Sequence, residues 1–512
     1  MPLIWHLIPG LITLLLALAS PVAVAGGCLS CHTDKSGGFN PAHEFAAQNC
    51  AVCHAGDPGR NNAADAHAGM LSFPGNMSNA AETCGACHAD KVQSVSHSLM
   101  HTGRGMVETT RRLVDGEAGA SGTNTVQSLG HGPADSMLRK LCVSCHLGQE
   151  KTAHQLNPTS DRGGGCLACH INAYPEDAHP ALSREVSDGR CFGCHSRSGR
   201  ISLSYAGLAE VQSADGSQLR LGDGRHVKRM PSDVHYRAGM ACIDCHSGAE
   251  LMGEHTASPY GGDAVRATCT DCHEPGPGHR GVMADHERLE CATCHSQWAP
   301  QCFGCHMEYD PKGQQWDHLA RAETPGRWHE DRWGIRNGQA ALGVNSENRI
   351  ELFVPGMIMS LAHPDWEQKK FVRVFAPLSP HTIGKARSCE SCHRASAALG
   401  LGAGTIEQRE GEYHFTPEQP LQADGLPADA WTDLSGKLGG AAPRESLRPL
   451  SPQEMQKTLS APLPVPKGNN QQPSSAAGGG STSSSSVSTN TGGTNGSAGA
   501  AAAVAPAHSP TK

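Results

Sequence analysis

The longest apolar run of the chain, Leu7 to Ala19, is broken only by Pro9, Gly10 and Thr13. Ala23-Val24-Ala25 follows with its small-x-small pattern, then Gly26, so residues 1–25 read as a secretory signal peptide. No Lys or Arg precedes the run, which departs from the usual pattern, and an uncleaved anchor is the alternative. The run is short for a membrane span, and no other stretch is long and apolar enough to be one. Two later runs, Arg349-Ile350-Glu351-Leu352-Phe353-Val354 and Phe371-Val372-Arg373-Val374-Phe375, mix charged with β-prone apolar positions. They predict a small β element within residues 345–376 with one wet face. Elsewhere glycines and prolines disfavour long helices, so regular structure is expected as short helices. From Pro466 to Lys512 the chain is rich in Ser, Gly, Ala, Thr and Asn and has no acidic or aromatic residue, the pattern of a disordered tail.

Composition changes this picture. The hydrophobic fraction is 38% and the aromatic fraction 4%, with 60 Gly and 33 Pro in 512 residues. Such a chain buries too little to offset its conformational entropy unaided. The missing apolar mass has to come from outside the polypeptide.

The cysteines say from where. All 22 belong to eleven copies of Cys-x-x-Cys-His. The copies are Cys28-Cys31-His32, Cys50-Cys53-His54, Cys84-Cys87-His88, Cys142-Cys145-His146, Cys166-Cys169-His170 and Cys191-Cys194-His195. Cys242-Cys245-His246, Cys269-Cys272-His273, Cys291-Cys294-His295, Cys302-Cys305-His306 and Cys389-Cys392-His393 complete the set. This is the attachment motif of c-type haem: the thiols add to the two vinyl groups and the histidine becomes the proximal iron ligand. Zinc pairs and redox dithiols also use Cys-x-x-Cys, but neither needs a histidine after every second cysteine. The fold class expected is therefore mostly irregular, with short α-helices organised around eleven covalent haems, and folding is expected to depend on haem attachment.

Charge narrows the partners. The formal net charge is −8, and with 22 propionates the nominal total approaches about −30. Nucleic acid is not a plausible partner, whereas basic redox proteins and metal cations are. The motifs also divide the chain. A six-haem region covers 26–200, and a haem-poor loop opens a four-haem region at 201–306. A Trp-rich segment with the eleventh haem covers 307–415, a Pro-rich extension 416–465 and the low-complexity tail 466–512. Six residues separate His295 from Cys302, so those two haems are expected in near contact. The Trp-rich segment is expected to pack over the last haems, with a docking surface or active-site cap as the other reading.

Thirty histidines are present, eleven of them proximal. With His6 and His508 set aside, seventeen remain for the distal sides. The distal candidates, chosen by recurring distance from a motif, are His43, His67, His101, His131, His154, His179, His235, His255, His279, His286 and His381, with His97 and His414 in reserve. A haem with two histidine ligands is coordinatively full and passes electrons. Met357 and Met359 are read as core filler.

These motifs, together with Asp233-Val234-His235-Tyr236-Arg237-Ala238-Gly239-Met240 before Cys242 and Pro380-His381-Thr382 before Cys389, resemble the large multihaem cytochromes c of respiratory bacteria. So does Ala398-Leu399-Gly400-Leu401-Gly402, and the resemblance covers Cys28 to about Gly402. It is more distant to the tetrathionate reductase and hydroxylamine oxidoreductase group. Some enzymes of the group use a lysine at the active haem, while all eleven motifs here keep histidine, and only six tyrosines are available for a haem crosslink. The resemblance implies electron transfer in the periplasm or to the cell exterior, in anaerobic or metal-linked respiration. The partners it implies are donor and acceptor cytochromes, an outer-membrane porin or an inner-membrane quinol-oxidising complex. Two other readings stay open: an oxidoreductase acting on a nitrogen or sulfur compound at one five-coordinate haem, and a homopolymer forming a cytochrome filament.

Overall fold

The structure, a computed structural model, describes residues 26–35, 39–116, 124–153, 162–171, 179–196, 201–212, 219–254, 267–439 and 447–463. The signal run, the tail from Pro466, His154 and His255 lie outside the described residues. The described residues up to Ser460 form one compact unit. Among the described residues no helix is long and apolar enough to cross a membrane.

Up to His295 the chain is built from short helices and turns. The longest are Gly85–His97, with 13 residues, and Arg104–Val114, with 11. A two-stranded pair, β1 (Leu208–Glu210) with β2 (Val227–Arg229), interrupts them. The sheet follows. Strands β3 (Ala299–Asp317) and β4 (Ala322–Gly338) form a long antiparallel hairpin, joined by β5 (Ala341–Val344), β6 (Ile350–Ala362) and β7 (Lys370–Pro377). A separate hairpin pairs β8 (Gly404–Arg409) with β9 (Glu412–Pro417), and β10 (Arg448–Pro449) returns to the edge of the main sheet. The order is β10-β5-β6-β3-β4, with β7 also on β6, and β3 runs parallel to β6. The sheet is thus far larger than a small element within 345–376. It begins 46 residues earlier, at Ala299, and takes in the tenth Cys-x-x-Cys-His segment.

The sheet has a polypeptide core of its own. Trp431 is fully buried, its ring 4.5 Å from Phe353 and 5.4 Å from Phe375. The Pro-rich stretch after Phe415 is therefore part of the sheet's packing. Beneath Trp431, fully buried Arg373 donates to both carboxylate oxygens of Asp424, at 2.6 and 2.9 Å, and to the Ala430 carbonyl at 2.7 Å. The tip of the β3–β4 hairpin is tied to the helical part through the residues just before Cys142. Arg139 pairs with buried Asp317 at 2.7 Å, and the Lys140 ammonium donates to the carbonyls of Thr324, Pro325 and Gly326 at 3.1, 3.0 and 2.6 Å. The motif-rich helical part and the sheet are thereby tied together in the neighbourhood of the fourth motif.

Candidate functional site

Cys-x-x-Cys-His puts its thiols and imidazole at positions i, i+3 and i+4, which share one face of a helical turn. Ten of the eleven segments fold as such a turn. They lie in or against the helices Gly26–Cys31, Ala51–His54, Gly85–His97, Val143–Cys145, Leu167–His170 and Gly189–His195. The others are Cys242–Asp244, Cys269–Asp271, Cys291–His295 and Glu390–His393. The histidine N–H donates to the carbonyl of the first cysteine at 2.8 to 3.1 Å, which closes the turn, in His32, His54, His88, His170, His246, His273 and His393, while His195 and His295 close theirs as the last residues of helices. His146 instead donates to the Val143 carbonyl at 3.0 Å.

Among the described residues, at least eight motif histidines face a second histidine. The ring centres are 6.0 Å apart for His32 and His67, 6.3 Å for His88 and His43, and 6.1 Å for His54 and His179. They are 5.2 Å apart for His146 and His101, 6.1 Å for His246 and His381, and 5.9 Å for His273 and His235. The last two pairs, His295 with His279 and His393 with His286, stand at 6.0 and 5.9 Å. A metal–imidazole bond is about 2 Å, which sets the centres of two opposed rings on one metal about 6 Å apart. Seven pairs have that spacing. The eighth is tighter, and the Gln127 side-chain amide nitrogen sits 3.1 Å from Nε2 of both His101 and His146, so an iron between those rings requires Gln127 to turn away.

The partner histidine is never the one beside the motif in sequence. His43 lies just before Cys50 yet faces His88, and His235 lies just before Cys242 yet faces His273. His381, eight residues before Cys389, crosses to His246. The segments are interleaved, and most sites are closed by a distant part of the chain, although His295 is faced by His279 only 16 residues before it.

The other ring nitrogen is often fixed as well. Nδ1–H donates to a carbonyl in His54 (Leu71, 2.7 Å), His170 (Ser183, 2.8 Å), His295 (Gly384, 3.0 Å) and His393 (Thr458, 2.7 Å). It donates likewise in His286 (Val282, 2.8 Å) and His381 (Ser379, 2.9 Å). His246 uses Glu250 and His235 uses Asp233, each at 2.8 Å. A donor at Nδ1 leaves Nε2 with its lone pair, the form a metal takes. Burial favours the neutral ring too: it lowers the pKa of His101, His179 and His381 and brings His146 down to about 4.

The motifs touch in a definite order. Numbered along the chain, the first meets the second through Cys28 and Cys50, and Cys53 of the second lies near Cys84 and Cys87 of the third. The third meets the fifth through Cys84 and Cys166, and Cys169 of the fifth lies near Cys191 of the sixth. The sixth meets the fourth through Cys194 and Cys145, and the seventh through Cys191 and Cys242. Cys245 of the seventh lies near Cys272 of the eighth, Cys269 meets Cys291 of the ninth, and Cys294 lies near Cys392 of the eleventh. Side chains bridge the same neighbours. Asp188 accepts from the Cys242 N–H at 2.8 Å, and Arg387 donates to the Thr293 carbonyl at 2.8 Å and to Cys392 Sγ at 3.5 Å. The ninth motif thus has the eighth and eleventh as thiol neighbours, although the tenth is nearest to it in sequence.

The tenth segment is the one that does not fit. Cys302 to His306 lies in β3, paired with β4 as Cys302↔Ile335, Gly304↔Gly334, Cys305↔Arg332 and His306↔Asp331. Successive strand residues point to opposite faces. Cys305 packs with Met307, Trp328 and Met359, whereas the His306 ring lies 6.0 Å from Trp333, which packs with Ile358 on the other face. One macrocycle cannot take a thioether from one face of a sheet and an imidazole from the other.

Of the remaining distal candidates, His131 is exposed and faces no motif histidine among the described residues, and His154 and His255 fall outside them. No histidine ring faces His170 or His306 among the described residues. His97 donates from Nδ1 to the Gln93 carbonyl, and His414 sits in β9, so neither joins a pair. The orienting groups Leu71 and Thr458 carried no sequence signal, and Asp233 was visible only as the start of the run before Cys242. Glu250 did, since it stands four residues after His246 on the same short turn.

Turns of this geometry, closed by paired histidines, define a multihaem-cytochrome-like redox protein. Among known proteins, the chain is similar to the dissimilatory sulfite reductase MccA of Wolinella succinogenes, at 23% identity over 168 residues. The match covers 28% of this chain and 23% of that protein, so the chain spans under a quarter of the relative's length. No protein-family model matches the chain. No solved structure matches it.

Proposed function

We propose that the chain is a c-type cytochrome that relays electrons between redox partners through a row of covalent haems. The observation that carries this reading is the set of eight motif histidines that face a second histidine, at 5.2 to 6.3 Å between ring centres. Haem bound there would be held by the motif cysteines and by these histidines, and would supply a one-electron couple. The chain's own part is to hold seven of these rings by Nδ1, to favour the neutral form of His101, His146, His179 and His381 by burial, and to bring successive motifs close together. The run of contacts from the first motif to the second, third, fifth, sixth, seventh, eighth, ninth and eleventh supports conduction, with the fourth as a side branch on the sixth. In this reading the protein works after export, in the periplasm or at the cell surface. It exchanges electrons with donor and acceptor cytochromes or with a membrane redox complex, and eleven haems are the upper count that its motifs allow.

A second reading is an oxidoreductase acting on a sulfur or nitrogen compound, favoured by the similarity to a dissimilatory sulfite reductase. One experiment separates the two. Electron paramagnetic resonance spectra of the oxidised protein are recorded with and without sulfite, nitrite and hydroxylamine. Low-spin signals that none of the three perturbs are expected of the relay. A high-spin ferric signal that shifts on addition would establish the oxidoreductase instead.

A further inference from the structure

Ten motifs already have the shape that haem attachment needs, and one does not. The tenth is also the only motif inside a sheet. Its segment is held by four ladder pairs to β4 and by two to β6, Cys305↔Met359 and His306↔Ser360. The pairing is irregular there: the register shifts between Cys302 and Gly304 and again between Gly304 and Cys305. Bulges of this kind mark places where a strand is locally weakened. Gly304 lies directly under the Trp333 indole, since a Cβ there would stand 2.0 Å from the ring. The Trp333 ring therefore occupies the space over the middle of the motif on the face that His306 shares, while Cys305 packs on the opposite face.

We infer that strand pairing at Cys302–His306 and covalent haem at the tenth motif are mutually exclusive states of this segment, and that the extended strand is its folded haem-free form. The inference rests on the covalent-haem reading of the other ten motifs. Attachment adds each S–H across a vinyl C=C, with sulfur bonding one carbon and hydrogen the other, so no electron is gained or lost and no group departs. What attachment requires of the chain is conformational. Cys302 to His306 must leave the ladder and coil into the one-face turn that the other ten motifs show. Cys305 must come out of its apolar cluster, and the Trp333 ring must move off Gly304. The rest of β3, from Met307 onward, stays anchored through its pairing with β4 and through Asp317 and Arg139. The site thus couples haem loading to the end of a strand rather than to the fold as a whole.

The test combines a haem count with amide exchange on the purified holoprotein. Intact mass under denaturing conditions counts the covalent haems. Hydrogen–deuterium exchange then reads residues 302–308 and 331–335 in the wild type and in the Cys302→Ala/Cys305→Ala double variant. If the wild type carries eleven haems, these amides are expected to exchange at least about tenfold faster than in the double variant, where the ladder closes. If it carries ten and Cys302 and Cys305 are open to alkylation, the amides are expected to be protected equally in both proteins. Eleven haems with a protected ladder, or ten haems with an unprotected one, overturns the inference. So does a double variant that fails to fold, because the haem-free strand is claimed to be a folded state. A count of zero haems would instead sink the cytochrome reading itself, which keeps the two failures apart.

Discussion

His179 shows what a single side chain does in this protein. It lies in no regular element, and its only link to the second motif is spatial: its ring faces His54 at 6.1 Å. Replacing it, His179→Ala, removes the ring that faces His54 while leaving Cys50, Cys53 and the Leu71 carbonyl that orients His54 in place. The expected result is an unchanged covalent haem count and one new high-spin ferric signal, equivalent to one haem by spin integration. Asp233 acts one step further out. It is 1% exposed and accepts from His235 Nδ1, from the His235 N–H and from the Ile383 N–H at 2.8, 2.8 and 2.6 Å. Its negative charge stabilises positive charge on the His235 side, so Asp233→Asn is expected to raise the reduction potential of one haem, measured by spectroelectrochemical titration. Whether a given histidine belongs to a pair was legible as a class, from surplus and placement. Which motif it serves was not, because the two rings of a pair come from segments up to 135 residues apart, as His246 and His381 are.

At the scale of elements, the sheet and the helical part answer to different forces. The sheet rests on side-chain packing, and Trp431 at its centre touches both Phe353 and Phe375. Trp431→Ala is expected to cost about 3–5 kcal/mol, read from chemical denaturation followed by far-ultraviolet circular dichroism of the sheet. The joint between hairpin and helical part rests on buried charge. Arg139→Ala leaves the Asp317 carboxylate buried without its guanidinium, and a loss of about 3–5 kcal/mol is expected in the same measurement. The helix Pro452–Ser460 adds a pH-dependent contact. Burial alone would raise the pKa of Glu454, but hydrogen bonds from Arg448, the Ser451 N–H and Arg288 outweigh it and bring the carboxyl down to about 2. A depressed folded-state pKa contributes stability that is present above the usual value of 4.5 and is lost as pH falls from there towards about 2. Glu454→Gln is therefore expected to flatten the fall in melting temperature across that window and to lower the melting temperature above it.

On the scale of the whole molecule, the contacts between motifs run in a line with one branch. Breaking the line in its middle should divide it electrically without dividing it structurally. Cys191→Ala/Cys194→Ala removes the sixth haem, the junction that touches the fourth, fifth and seventh motifs. In stopped-flow reduction the wild type is expected to fill all its haems in one connected sequence. The variant is expected to fill one group quickly and the other many-fold more slowly. Equal rates for all haems in the variant would mean that the line is not the route.

The sequence by itself determined the local chemistry, and the reason is that this chemistry is local. Two thiols and an imidazole at i, i+3 and i+4 specify a turn that puts all three on one face, and ten of eleven segments fold as that turn. It also determined that histidine supply exceeds proximal need. The extent of the sheet was hidden, because β3 begins among motif residues whose spacing reads as helical turn. There the tertiary pairing with β4 and β6 overrides the local signal and holds Cys302 to His306 extended. Only the tertiary structure decided the histidine pairings, the order of neighbouring motifs and the burial of Trp431. Each of these joins residues far apart in sequence, and no short-range pattern encodes which distant segments pack together.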